Sequence, residues 1–214
     1  MNTNNPLYRP ARAFLRFIVK AGKALCKLNA KQCAKRWLKN NYLILDTETT
    51  GLGDDAELIE ISIIDCTGKI LLDTLVKPLK SIHAAATAIH GITNEIVANA
   101  PTWKDIHHQF VALSNDRTLL IYNASFDSRL IFQTAAANNC PVPETKYIFD
   151  AECVMKTYAE YYGQWDDKRN KFKWQRLSNA AEQQGVVIDG TPHRALADCK
   201  ATLGVIRAMA GVKS

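Results

Sequence analysis

Apolar residues recur in this chain in two rhythms. Up to about residue 40 the spacing is helical, with Phe14, Ile18, Ala21, Leu25 and Leu28 along one side. Arg12, Arg16, Lys20, Lys23, Lys27 and Lys31 occupy the other side at steps of three and four. That pattern predicts one basic amphipathic helix over residues 10–39. From Tyr42 onward, apolar runs of strand length alternate with helical patterns. Strands are predicted at Tyr42–Thr47, Leu58–Cys66, Lys69–Val76, Thr118–Tyr122 and Tyr147–Phe149. Turn-rich pieces, Gly51–Asp55 and Thr67-Gly68, separate the first three, which reads as an antiparallel meander. Helices are predicted at Thr102–Leu113, Phe126–Asn138, Ala151–Tyr162, Leu177–Gln184 and His193–Ala210. Three strands followed by strands interleaved with helices give an α/β fold, a mixed sheet flanked by helices.

Charge divides the chain at the same place as the pattern. The whole sequence of 214 residues carries +6, but residues 1–40 hold ten Lys/Arg and no acid, whereas residues 41–214 carry 17 basic residues against 21 acidic ones. Two units are therefore expected: a basic helical extension, 1–40, and a domain, 41–214. No apolar stretch approaches the roughly 18 residues needed to span a bilayer. Arg12, Arg16 and Lys20 interrupt any secretory apolar core. The six cysteines are scattered without C-x-x-C or zinc-like spacing, which fits a reducing, cytoplasmic setting in which most are small buried apolar residues.

The densest chemistry lies at the end of the first strand, in Leu45-Asp46-Thr47-Glu48-Thr49-Thr50-Gly51. Residues two apart on a strand share a face, so Asp46 and Glu48 stand side by side. Two carboxylates that close need a cation or a proton between them, and a hard divalent ion is the natural partner for clustered oxygens. Alternatively, one acid faces solvent and the other caps the turn. Asp127 follows the fourth strand in the first turn of a helix, where an acid is also favoured by helix electrostatics alone. Thr191-Pro192-His193 opens the last helix, with Thr191 as N-cap and Pro192 at the first position. His193 and Asp198 are five apart and would lie on different sides of an ideal helix, which places His193 on the lead-in loop. Asp150 reads as a helix N-cap.

Asp46-x-Glu48, Asn123-x-x-Phe126-Asp127 and His193-x-Ala195-x-x-Asp198 resemble, in order and spacing, the three motifs of the DnaQ-like (DEDDh) 3′→5′ exonucleases. Ala88–Thr93, which contains His90-Gly91-Ile92, resembles the segment between the first two motifs. The resemblance spans roughly residues 42–211. It implies an RNase H-like fold with a mixed five-stranded sheet, three antiparallel strands followed by two parallel to the first. It also implies that Asp46, Glu48, Asp127 and Asp198 hold two divalent cations, Mg²⁺ or Mn²⁺, and that His193 is the general base. An imidazole ordinarily titrates near 6.5 and so can take a proton from water near neutral pH. The family further implies that backbone from Thr47 to Leu52 meets the terminal sugar. His90 would lie beside the terminal nucleotide, although a histidine satisfied within a helix-end turn is the plainer reading. Asn123 orients the site or contacts the nucleotide, or shapes a turn.

These residues imply a metal-dependent 3′→5′ exonuclease acting on single-stranded or frayed DNA and releasing nucleoside 5′-monophosphates. Trimming of RNA is the alternative within the same chemistry, and a nucleic-acid-binding or polymerase-associated accessory module is the alternative of another class. Trp165–Arg176 interleaves Lys168, Arg169, Lys171, Lys173 and Arg176 with Trp165, Phe172 and Trp174. This is either a strand-binding loop or, more simply, a solvated loop anchored by its tryptophans. The basic helix has four readings: nucleic-acid or protein-partner binding, membrane-surface binding, an organellar transit peptide, or packing on the acidic domain. Sixteen residues after Asp198 leave no room for a long C-terminal polymerase-binding tail, so any polymerase tether would use this helix or the domain surface.

Overall fold

The computed structural model describes residues 9–141 and 151–212, with side chains from residue 21 onward. A five-stranded sheet has the spatial order β3-β2-β1-β4-β5. Its strands are β1 (Leu43–Thr49), β2 (Leu58–Asp65), β3 (Ile70–Leu75), β4 (Leu119–Ile121) and β5 (Glu152–Cys153). β1, β2 and β3 pair antiparallel, while β4 runs parallel to β1 and β5 parallel to β4. The mixed sheet implied by the sequence is thus the observed one. The strand expected at Tyr147–Phe149 and the cap expected at Asp150 lie outside the described residues. The helix predicted from Ala151 starts instead at Val154, because Glu152 and Cys153 pair with β4.

Alternation along the central strand builds two cores. Leu43 and Leu45 face one layer with Ile61, Ile63, Leu130 and Ile131, covered by α4 (Trp103–Ser114) and α5 (Ala124–Ala137). Ile44 faces the other with Ile64, Val205, Ile206 and Met209, covered by α6 (Val154–Tyr162), α7 (Leu177–Gln184) and α8 (Ala195–Ala210). Such period-two segregation is what a sheet buried on both faces requires. Two short helices, α2 (Ala84–His90) and α3 (Asn94–Val97), close the end of the sheet beside β1 and cover a small third cluster around Ile59, Ile82 and Ile92.

Helix α1 (Arg9–Lys39) belongs to this packing at its C-terminal end. Ala30, Ala34 and Trp37, spaced four and three apart, are buried, and Ala34 and Trp37 join the α6–α8 core. The small alanines let the helix approach closely, and the Trp37 indole Nε1 donates to Glu152 Oε2 at 2.7 Å. Arg36 forks onto the same carboxylate at 2.6 and 2.7 Å. The side bearing Leu25 and Leu28 points away, and these residues are 59% and 51% exposed. Hydrophobic spacing alone had marked that outward side; the alanines and the tryptophan make the inward one.

The cysteines differ from expectation. All six are free, yet only Cys66 and Cys199 are fully buried, the other four being half-exposed. Trp37→Ala should destabilise the protein by about 3–5 kcal/mol, the usual cost of truncating a buried large aromatic side chain. Leu25→Ala should stay within about 0.5 kcal/mol, as surface changes do. Urea unfolding of both variants measures this; equal effects would mean α1 does not pack as described.

Candidate active site

The faces of β1 divide the site's work. Ile44, Asp46 and Glu48 share the face toward α8, so the apolar side chain deep in the sheet gives way to two carboxylates near its end. The register places Glu48 opposite Glu60 of β2, and the ladder shifts immediately afterwards, between Glu48 and Thr49. A bulge there ends regular pairing and turns the chain away from the site. Across from β1, the first turn of α8 supplies Asp198. Asp46, Glu48 and Asp198 each offer an oxygen within 4.8 Å of the others.

Asp127 comes from the other side of the sheet. It is buried in the first turn of α5, and its Oδ1 accepts a hydrogen bond from the Thr47 hydroxyl at 2.8 Å. Thr47 points opposite to Asp46 on the strand, so one strand residue steers the α5 acid while its neighbours meet α8. The helix is capped by Asn123, whose carbonyl accepts from Phe126 N at 2.9 Å and whose side-chain oxygen accepts from Ser125 Oγ at 3.3 Å.

Asp46, Glu48 and Asp198 repel at this distance; Asp127 lies outside their 4.8 Å group but adds to the charge that Asp46 and Glu48 feel, and burial sharpens the effect. Burial, followed by the charges of Asp127, Asp198 and Glu48, pushes the Asp46 carboxyl well above its ordinary range. Burial and then Asp198 raise Glu48 to about 8. Burial raises Asp127 to about 7 against the lowering hydrogen bond from Thr47. Asp198 is raised as well, chiefly by burial, with His193 acting in the opposite sense. Buried like charges held by a rigid sheet and two helices are the chemistry of a hard-cation site, and this donor set fits divalent cations.

His193 is exposed and precedes α8. It takes φ 58°, a left-handed conformation uncommon for a residue with a side chain. The helix starts at Ala195, two residues later than the sequence predicts, and neither Thr191 nor Pro192 has the role assigned to it. A side chain from another strand replaces the local cap: Ala195 N donates to Glu60 Oε2 at 2.9 Å. Arg194, the helix's N-cap position, makes a forked pair with the same Glu60 carboxylate, which is 4% exposed. Glu60 and Arg194 were not among the predicted site residues. The signal available was a lone glutamate in the apolar run Leu58–Ile64, a position that burial forces to be paired.

The remaining predicted contacts surround this cluster. Leu52 is 78% exposed at the lip of the loop after β1. Arg129 of α5 holds that loop by donating to the carbonyls of Leu52 and Gly53 at 3.3 and 3.2 Å, and Gln133 donates to Gly53 and Ala56. Gly51 packs against the His83 imidazole, which a Cβ would meet at 2.8 Å, so a side chain there would displace it. His90 is buried. Its Nδ1 accepts from Ile92 N at 3.0 Å and its Nε2 lies 3.3 Å from the Thr49 carbonyl, which defines a neutral ring with the proton on Nε2. Burial lowers its pKa accordingly. Any polar contact from a His90 nitrogen to a ligand would have to break one of these bonds.

Residues 43–206 match the family described as Exonuclease, RNase_T. The chain belongs to the DnaQ-like exonuclease family. Among its relatives, the uncharacterized exonuclease CP81 of Escherichia phage 186 is 50% identical over 181 residues, covering 84% of this chain and 93% of that protein. DNA polymerase III subunit epsilon of Buchnera aphidicola (Schizaphis graminum) is 37% identical over 102 residues, 42% of this chain and 43% of the subunit. The chain therefore aligns with less than half of that polymerase subunit. Exonuclease X, solved with 5′ overhanging duplex DNA, superposes with a TM-score of 0.55 at 27% identity, covering 80% of this chain and 93% of that one. The nuclease domain of 3′hExo, a DEDDh family member solved with rAMP, gives 0.61 at 18% identity, covering 77% and 89%.

A second feature lies beyond the cluster. The segment read as a loop is a hairpin of β6 (Trp165–Asp166) and β7 (Lys171–Phe172). Its tryptophans are not the anchor: Trp165 and Trp174 are 36% and 50% exposed. Gln175 is buried instead, its carbonyl accepting from the Tyr122 hydroxyl at 3.0 Å and its amide donating to Gln164. Trp165 stands edge-on to Phe172, and Lys171 Nζ lies 4.1 Å from the Trp174 ring centre.

The raised acid pKa values set a pH dependence for the metal-free protein. Glu48 and Asp127 bind protons more tightly folded than unfolded, so between about pH 5 and pH 8 the folded chain holds more protons and stability falls as pH rises. Calorimetry in EDTA should show Tm decreasing over that window. Mg²⁺ or Mn²⁺ should restore it, most strongly at the alkaline end. A Tm that rises with pH in EDTA would contradict the repulsive cluster.

Proposed function

We propose that this exonuclease is a metal-dependent 3′→5′ enzyme that hydrolyses the terminal phosphodiester of single-stranded or frayed DNA and releases nucleoside 5′-monophosphates. The observation that carries the reading is the convergence of Asp46, Glu48 and Asp198 within 4.8 Å, beside buried Asp127 and exposed His193. The polarity follows the resemblance of the three motifs to DEDDh enzymes. DNA is favoured because relatives above 30% identity include DNA polymerase III subunits, and Exonuclease X was solved with DNA. The neighbour solved with rAMP is 18% identical and shares the fold alone.

In this reading Asp46, Glu48, Asp127 and Asp198 hold two divalent cations, Mg²⁺ or Mn²⁺. Such ions, when bound, activate a water and stabilise a leaving oxygen. His193, exposed beside the acids, takes the proton of the attacking water. Thr47 keeps Asp127 oriented. The loop from Thr47 to Leu52 receives the terminal sugar, with Leu52 offering an apolar surface to the nucleotide and Asn123 lining the same end of the sheet. His90 supports the loop by holding the Thr49 carbonyl. The hairpin receives the strand upstream of the 3′ end: Trp174 offers a face for a base, and Lys168, Arg169, Lys171, Lys173 and Arg176 offer charge for phosphates. Asp166 and Asp167 offset two of these five positive charges, which leaves the segment at +3.

Oligonucleotides labelled at the 3′ or the 5′ end, as DNA and as RNA, incubated with Mg²⁺, Mn²⁺ or EDTA, test the reading. Metal-dependent shortening from the 3′ end of DNA is expected, and RNA outpacing DNA would transfer the assignment to RNA trimming. No shortening of either polymer would remove it. Asp46→Ala should lower turnover by about 10³-fold or more, the worth of several kcal/mol of lost charge stabilisation. Trp174→Ala should weaken binding of a twelve-nucleotide strand by about 1–3 kcal/mol while leaving that of a dinucleotide unchanged. Equal losses on both lengths would place the hairpin's effect elsewhere.

A further inference from the structure

Glu60 is a fifth carboxylate beside the four proposed to hold cations, and it is not free to join them. It sits directly across the β1–β2 ladder from Glu48, and directly opposed residues project to the same face. Its charge is felt by Asp46, Glu48 and Asp198, in each case raising their pKa. An unpaired acid here would add repulsion to a site already strained by it. Instead, Arg194 Nε donates to both Glu60 oxygens at 3.0 Å, Arg194 Nη2 donates to Oε1, and Ala195 N donates to Oε2 at 2.9 Å. This is the bidentate geometry in which an arginine fixes orientation as well as charge.

What the clamp holds is more telling than what it neutralises. Arg194 and Ala195 are the two residues immediately after His193. The helix that begins at Ala195 lacks a side-chain cap of its own, so Glu60 supplies the acceptor for its first N–H and adds a negative charge to that of Asp198 in the first turn. Ahead of His193 the chain is exposed through Gly190, Thr191 and Pro192, and nothing of comparable strength grips it there among the described residues. His193 itself holds φ 58°, a conformation that persists when its surroundings enforce it. Asp198, five residues on, lies close enough for His193 to lower its raised pKa.

We infer that the Glu60–Arg194 pair is a positioning device for His193, locking the histidine-bearing turn to the sheet rung that carries Glu48. Glu60 touches neither substrate nor cation; it acts through Arg194 on the place and angle of the imidazole. Because one rung bears both Glu48 and Glu60, the base and the metal-binding acids share a single rigid reference. The sheet sets their separation, and the exposed loop ahead of His193 does not. The inference rests on the proposed exonuclease reading for what His193 does, though not for how it is held.

The test is a double-mutant cycle with two readouts independent of turnover. Glu60→Gln should lower kcat by about 10–100-fold, the usual cost of losing an orienting partner, with KM changed less than threefold. In a His193→Ala background the same substitution should cost less than twofold, because there is no base left to misplace. Mn²⁺ affinity by calorimetric titration should stay within threefold, and hydrogen exchange at Arg194 and Ala195 should accelerate. Should Glu60→Gln fail to fold, Arg194→Lys, which keeps the charge and loses the fork, should give the same pattern at smaller size. Full additivity with His193→Ala, a large loss of Mn²⁺ affinity, or unchanged exchange at Ala195 would each overturn the inference. If the wild-type protein shortened neither DNA nor RNA, the exonuclease reading would fall. The exchange experiment would still decide whether the clamp exists.

Discussion

Carboxylate repulsion at the end of β1 is the constraint around which this molecule is arranged. Asp46 and Glu48 sit side by side because a strand permits nothing else, and Asp198 and Asp127 are brought to them by helices on opposite faces of the sheet. Left to themselves, such groups would separate or protonate. They do not separate because each is mounted on an element buried in a core: β1 between two apolar layers, α5 through Leu130 and Ile131, α8 through Val205, Ile206 and Met209. Packing holds together what electrostatics would spread, and that repulsion is what a bound cation would relieve.

Much of the remaining structure keeps this arrangement from relaxing. Thr47 ties Asp127 to the strand, Arg129 and Gln133 tie the following loop to α5, and His90 ties the Thr49 carbonyl to α2. Glu60 stands out because its charge could have worsened the problem. Paired with Arg194 and with the start of α8, it organises the one exposed, strained residue of the site. The site therefore combines four acids left uncompensated with a fifth that is fully compensated, and the two conditions serve different ends.

The formal charge of the chain divides along similar lines. The acidic excess of residues 41–214 includes the four site carboxylates, so acidity there is compatible with a polyanionic substrate once cations are bound. Positive charge is concentrated elsewhere, on the hairpin after α6 and on α1. The outer face of α1, with Leu25 and Leu28 exposed, is continuous with a helix whose inner face is ordinary core. The charge boundary near residue 40 therefore separates two compositions, while Trp37 and Ala34 pack as part of the domain.

The motifs were legible in sequence because they are short and local. Strand alternation placed Asp46 and Glu48 on one face, and apolar runs announced four of the five strands of the central sheet and the helices behind them; β5, at Glu152–Cys153, fell inside a predicted helix. By itself, the sequence determined the residue types of the site, their order and the mixed α/β class. Three things it could not decide, and each depends on contacts between residues far apart in the chain. The start of the last helix moved to Ala195 because its cap comes from Glu60, 135 residues earlier, where local capping rules pointed to Thr191. The tryptophans of the hairpin face solvent because Gln175 and Tyr122 anchor it instead. The inward side of α1 is alanine and tryptophan, chosen by the shape of the surface it meets rather than by its hydrophobic spacing. Local propensity and periodicity act over a few residues, whereas hydrogen-bond satisfaction and close packing are settled only when the chain has folded back on itself.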